Sequence, residues 1–194
     1  MTNIIAINGS PRPHGNTDLI IDAFLMGASS CGASTKKINL HTLNYKNCMG
    51  CNSCHKTGQC VIQDDFTPIF TEILESDILI LASPIYSTTV TADLKSFIDR
   101  GQFIWAQKFV THTRQVSEDH LKKHIGVYIG TSGQNTQNVF DGAFAVVKAF
   151  FNNFGFKYTE NVLFAGMDIH GGVNNWPESI TQAKNDGKRI AQLL

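Results

Sequence analysis

The chain opens on an apolar run, Ile4-Ile5-Ala6-Ile7. This empties into a small polar loop, Asn8-Gly9-Ser10-Pro11-Arg12-Pro13-His14-Gly15-Asn16-Thr17, and then into a helix-like stretch from about Asp18. A strand, a Gly/Ser/Thr/Asn loop and a helix in that order build an anion site. The loop lends backbone N–H groups and hydroxyls, and the helix N-terminus adds partial positive charge. Arg12 supplies a guanidinium suited to phosphate. The chain therefore begins with a phosphate cradle, which points to a phosphorylated ligand.

Spacing narrows that ligand. A dinucleotide fingerprint needs G-x-G-x-x-G with an acidic residue about 20 positions on, and a P-loop needs G-x-x-x-x-G-K-[ST]. Here Gly9 and Gly15 are separated by five residues, and Asn16-Thr17 follow with no Lys. ATP and the AMP half of NAD are disfavoured, and a monophosphate fits better.

The remaining segments alternate by hydrophobic period. Strands are expected at about 3–8, 33–40, 78–82, 125–129 and 159–164, and helices at about 17–30, 66–75, 92–105, 136–154 and 177–194. A polar, Cys-rich stretch at about 41–65 and a polar segment at 107–123 interrupt the alternation. With 194 residues, this is enough for one α/β domain over 1–194 with a full core. Strands alternating with helices argue for a parallel sheet covered on both faces. The common order is 2-1-3-4-5, with a ligand at the switch point between strands 1 and 3. The loops after strands 1, 3 and 4 should then converge.

Sixteen basic and sixteen acidic side chains cancel, with no basic stripe for nucleic acid and no polybasic patch for a membrane surface. No apolar run approaches the roughly 20 residues of a membrane span. The first strand starts at Asn3, leaving no room for a signal peptide before it, so a cytoplasmic location is expected.

The second converging loop is Ser83-Pro84-Ile85-Tyr86-Ser87-Thr88-Thr89-Val90, an aromatic face among small hydroxyl residues. The third, Gly130-Thr131-Ser132-Gly133-Gln134-Asn135, is small enough for its backbone to approach a ligand closely. Taken singly, Tyr86 reads as a rim aromatic and the glycines as plain turns. Together, one phosphate loop and two loops able to hold a flat polar ring system suit flavin mononucleotide, FMN.

Three stretches, Gly9-Ser10-Pro11-Arg12-x-x-Gly15-Asn16-Thr17, Ser83-Pro84-Ile85-Tyr86 and Lys95-x-Phe97-Ile98-Asp99-Arg100, resemble the flavodoxin-like NAD(P)H-dependent FMN reductases across essentially the whole chain. That resemblance implies a three-layer flavodoxin-like fold. It further implies that Ser10, Arg12, Asn16 and Thr17 hold the FMN phosphate. Pro84, Ile85, Tyr86, Ser87 and Thr88 would line the isoalloxazine, and Thr131, Ser132 and Gly133 would complete the site. Lys95 to Arg100 read as structural or interfacial.

The cysteines form a second constellation. Cys48, Cys51, Cys54 and Cys60 have the spacing C-x2-C-x2-C-x5-C. In reducing cytosol, clustered cysteines more often mean metal or redox chemistry than disulfides. Four thiolates can close a [4Fe–4S] cube, and the first three match the compact ferredoxin run. The fourth departs from it, with a gap of five residues and Val61 where ferredoxins place Pro. The spacing is similar to that of the iron–sulfur flavoproteins, a branch of the same group, as is the trailing Asp64-Asp65. Structural zinc usually takes two separated Cys pairs, and a loop of empty thiols is the other reading. Asp64 and Asp65 read as a cap for the following helix, and Cys31 as packing or surface. None of the seven histidines forms a nucleophile–base pattern, and His170-Gly171-Gly172 is placed to rim the pocket.

The expected activity is FMN-dependent transfer of electrons from NAD(P)H to an acceptor such as a flavin or quinone. The flavin carries the chemistry and no side chain is required as acid or base. NAD(P)H would dock transiently, since no dinucleotide fingerprint is present. The alternative is an electron-transfer module that relays electrons between a ferredoxin-like donor, a [4Fe–4S] cluster and FMN. A sensor of thiol oxidation is a third class, but no resolving pair is placed for it. Phe103-Ile104-Trp105 and Phe109-Val110, apolar residues beside a polar segment, point to a homodimer interface near the flavin.

Overall fold

The computed structural model describes residues 1–136 and 138–194. In chain order its elements are β1 (Asn3–Asn8), α1 (Asn16–Ser29), β2 (Ser34–Asn39), α2 (Cys54–Thr57), α3 (Phe66–Leu74), β3 (Ile78–Pro84), α4 (Ala92–Arg100), α5 (Gln102–Phe109), α6 (Glu118–Lys123), β4 (Ile125–Thr131), α7 (Asp141–Phe154), β5 (Lys157–Phe164) and α8 (Pro177–Ala191). All strand pairs are parallel and the order is β2-β1-β3-β4-β5, the expected flavodoxin-like arrangement.

Period-two alternation along the central strands assigns each side chain to one of two cores. Ile4, Ala6, Ile78, Ile80, Val127 and Ile129 face α1 and α8, packing on Ile20, Phe24, Ala183 and Ile190. Ile5, Ile7, Leu79, Leu81 and Tyr128 face the other way, onto Phe66, Phe70, Phe97, Phe150 and Phe154. Both faces of β1 and β3 are therefore dry, as an all-parallel sheet requires.

The helix expected over 92–105 is broken in two. At Gly101, between α4 and α5, an added Cβ would stand 2.7 Å from Phe154 and 3.1 Å from Phe150. The two rings of α7 press against bare backbone there, and the chain turns. The stretch at 107–123 contains the end of α5 and all of α6, and α2 forms inside the Cys-rich segment. The helix expected from Thr136 starts at Asp141, after a turn at 138–140; Gln137 lies outside the described residues.

Register delivers the loops to one edge. Asn8 pairs with Ala82, and Pro84 with Thr131, so the exits of β1, β3 and β4 stand side by side. The next amide, Ile85 N–H, donates to Thr131 O at 2.8 Å and ties the second loop to the third.

Candidate active site

A cleft at this edge is lined by Ser10, Arg12, Asn16 and Thr17 from the first loop, Pro84, Ile85 and Tyr86 from the second, and Thr131, Ser132 and Gly133 from the third. Ten of the expected site residues thus share one concavity. Ser87 and Thr88 stand outside the lining. They form the tip of a two-residue turn closed by Tyr86 N–H to Thr89 O at 2.9 Å and Thr89 N–H to Tyr86 O at 3.1 Å. Both are exposed, with φ of 46° and 71°. Left-handed backbone at a β-branched residue is strained, and it holds Tyr86 at the cleft.

The first loop is shaped by its own side chains. Asn8 Oδ1 accepts from Ser10 N at 2.9 Å, and Ser10 Oγ accepts from Arg12 N at 3.3 Å. The buried carboxylate of Asp18 accepts from Asn8 Nδ2 (2.9 Å), the His14 N–H (2.8 Å) and Lys37 Nζ (2.8 Å). Burial alone would raise the Asp18 carboxyl, but the Lys37 and His14 hydrogen bonds outweigh it and hold the group below the usual carboxylate range. Thr91 Oγ1 donates to Gly9 O at 2.6 Å and fastens the loop to α4.

This leaves several groups with the chemistry to receive an anion. Gly15 at the N-cap of α1 offers no capping side chain, so the first-turn amides lack that usual partner. The Arg12 guanidinium is exposed and enters no hydrogen bond or ion pair among the described residues. Asn16 Oδ1 accepts from Val173 N at 3.0 Å, which turns its amide donors away from that contact. Backbone amides, a guanidinium and hydroxyls suit a phosphate monoester. Tyr86, 41% exposed, adds an aromatic face beside Ile85 and Pro84.

The loop after β5, expected at the rim through His170-Gly171-Gly172, lines the cleft through other residues. Met167 and Asp168 line the cleft, with Met167 N–H donating to Ser132 O at 2.9 Å and Asp168 N–H to Gly133 O at 3.2 Å. A Cβ on Gly133 would lie 2.3 Å from Asp168 Oδ2. The signal was available, since β5 neighbours β4 and its exit opens on the same edge. His170 instead stacks on Trp176, with centroids 4.1 Å apart.

The four clustered cysteines are free and line a single cavity with Met49, Ile62, Phe103 and Arg100. Burial pushes the Cys54 thiol up, and the nearness of Cys48, Cys60 and Cys51 adds to that. A hydrogen bond from Ser53 N–H lowers the Cys51 thiol. Among the described residues, no three metal-ligating side chains are grouped closely enough to hold a single ion. The cavity's donor set is four soft thiols, which suits a cluster whose irons are each bound by a different cysteine. Cys31 is exposed and remote in sequence, accepting from Gln192 Nε2 at 3.7 Å.

Asp64 does more than cap. Its Oδ1 accepts from Phe66 N at 3.1 Å, at the start of α3, but both oxygens also receive the Arg100 guanidinium. Asp65 accepts from Asn44 N at 2.7 Å. Arg100 is accordingly structural, whereas Lys95 pairs with Asp99 on the exposed side of α4.

A five-stranded parallel sheet in the order β2-β1-β3-β4-β5, with four loops gathered at its switch edge, is a flavodoxin-like fold. The model of the NADPH-dependent FMN reductase family matches residues 2–157, and the chain belongs to that family. An iron–sulfur flavoprotein of Archaeoglobus fulgidus is 40% identical over 96 residues, 50% of this chain and 44% of that protein. One of Methanocaldococcus jannaschii is 40% identical over 99 residues, 51% of each chain. The matched stretch thus spans about half the length of these relatives. Among solved structures, an FMN-dependent NADH-azoreductase of Bacillus anthracis in complex with FMN superposes with a TM-score of 0.69 at 16% identity, covering 99% of this chain and 100% of that one.

Proposed function

We propose that the protein uses bound FMN to pass electrons from NAD(P)H to an acceptor such as a flavin or quinone. The convergence of three loops on one cleft carries this reading. FMN, when bound, supplies the hydride-accepting and electron-releasing chemistry. The chain's part is to bind and orient it. Ser10, Arg12, Asn16 and Thr17 hold the phosphate. Pro84, Ile85 and Tyr86 with Thr131, Ser132 and Gly133 hold the ring system, and Ser87 and Thr88 set the turn that presents Tyr86. The exposed Tyr86 ring leaves a surface on which a nicotinamide can stack in passing. Titration of purified protein with FMN, followed by stopped-flow oxidation of NADPH and NADH, tests the reading. No FMN affinity in folded protein would end it.

A second reading is favoured by the shared cavity of Cys48, Cys51, Cys54 and Cys60 and by the similarity to iron–sulfur flavoproteins. In it, the thiols hold a [4Fe–4S] cluster and the protein relays electrons from a ferredoxin-like donor. Slow NAD(P)H oxidation together with iron uptake would select this reading over the first. Four free thiols suit a reducing cytoplasm. A homodimer is part of either reading, with the half-exposed Phe109 and its neighbour Trp105 at the interface.

A further inference from the structure

Arg100 is the last residue of α4, yet it is only 2% exposed and lies in the wall of the cysteine cavity. Its terminal nitrogens are fully engaged. Nη1 donates to Lys46 O and Asp64 Oδ2, both at 2.6 Å, and Nη2 donates to Ile62 O and Asp64 Oδ1, both at 3.2 Å. Lys46 and Ile62 flank the segment from Cys48 to Cys60, so one guanidinium grips both feet of the Cys loop. Its Cζ lies over the Phe66 ring, 5.7 Å from the centroid.

The third nitrogen is different. Arg100 Nε is buried and has no hydrogen-bond partner among the described residues. An unpaired N–H on a buried cation is costly, and native structures leave few of them. Arg100 is the charged side chain in the cavity that all four thiols line.

We propose that Arg100 is a positioning residue for the cysteine cavity, whose fixed charge and spare Nε–H stabilise the anionic iron–thiolate group held by Cys48, Cys51, Cys54 and Cys60 and raise its reduction potential. The inference rests on the iron–sulfur reading above. Adding one electron to such a group adds one negative charge to a poorly solvated cavity. A neighbouring cation lowers the cost of that charge, and Asp64 partly cancels the benefit. The pair therefore works as a charge setting as well as a clamp. Local charge becomes more negative in Arg100→Gln and more positive in Asp64→Asn, and is restored in the double variant.

The test is an EPR-monitored redox titration with dithionite as reductant, on anaerobically reconstituted full-length protein. Iron content is read in parallel, and FMN binding serves as the control for folding. Arg100→Gln should lower the reduced-to-oxidised ratio at a fixed potential by about tenfold, a shift of about 59 mV for one electron. Asp64→Asn should move it upward, the double variant should return towards wild type, and Arg100→Lys should lie closer to wild type than Arg100→Gln does. A purely structural clamp would lose iron in all variants without ordering their potentials by charge. If Arg100→Gln does not fold, Asp64→Asn decides: an unmoved or lowered potential overturns the proposal. Wild-type protein that takes up no iron would instead overturn the iron–sulfur reading itself.

Discussion

Thr17 Oγ1 and Thr131 Oγ1 lie 2.7 Å apart, buried, joining the first turn of α1 to the end of β4 across 114 residues of chain. This contact closes the floor of the cleft between the phosphate loop and the third loop. Thr131→Val keeps the shape and removes one hydroxyl, leaving the other buried without its partner. A loss of about 1–3 kcal/mol in urea unfolding is expected, with weaker FMN binding. Unchanged stability and unchanged affinity would remove this pair from the site.

Arg12 makes no internal contact among the described residues, so its replacement should spare the fold and strike the ligand. Arg12→Ala is expected to weaken FMN by about 1.5–3 kcal/mol, roughly 10- to 150-fold in Kd. Riboflavin, which lacks the phosphate, supplies the control. Equal losses for both flavins in a fluorescence titration would place Arg12 elsewhere than at the phosphate.

The cysteine cavity predicts a selective response. Reconstituted protein should hold about four irons per chain. Cys60→Ala should lose or degrade that content, whereas Cys31→Ala, at an exposed site outside the cavity, should not. Equal iron loss in both variants, read by colorimetric iron assay, would separate metal binding from this cavity.

Asp18 gives the phosphate loop an acid limit. Its folded carboxyl lies below the ordinary value of 3.8. The unfolded chain therefore binds the proton first as pH falls. The stabilisation is full above about pH 4 and is lost as pH drops through the folded value. Asp18→Asn should cost about 2 kcal/mol at pH 7 and flatten the decline of stability below about pH 4. A variant with the same acid limb as wild type would show that other carboxylates set it.

The surface around α5 is less apolar than its sequence suggests, because Ile104 is buried in the core and Phe103 packs against it. Trp105 and Phe109, with ring centroids 5.6 Å apart, and the exposed Val110 remain. Light scattering at micromolar concentration should show a dimer, and Trp105→Ala with Phe109→Ala should weaken it. A monomer in wild type would rule the interface out, and an unaffected dimer would move it to another face.

The amino-acid sequence by itself determined the alternation of strands and helices, the parallel order and the three loops that meet at the switch edge. These are local matters: apolar runs of one period or another, and glycines and small polar residues where the chain must turn. It also marked the four clustered cysteines, because their spacing is a property of one short segment. Only the tertiary structure decided what distant residues do to one another. The helix expected over 92–105 divides at Gly101, where Phe150 and Phe154, some fifty residues on, leave no room for a side chain. Arg100 reads only as structural or interfacial until packing brings it, from 36 residues away, onto Asp64 and the feet of the Cys loop. Met167 and Asp168 join the cleft because β5 lies beside β4 in register, and Ser87 and Thr88 leave it because their turn closes on Tyr86. Each of these outcomes depends on which surfaces meet across the sheet, and no local propensity encodes that.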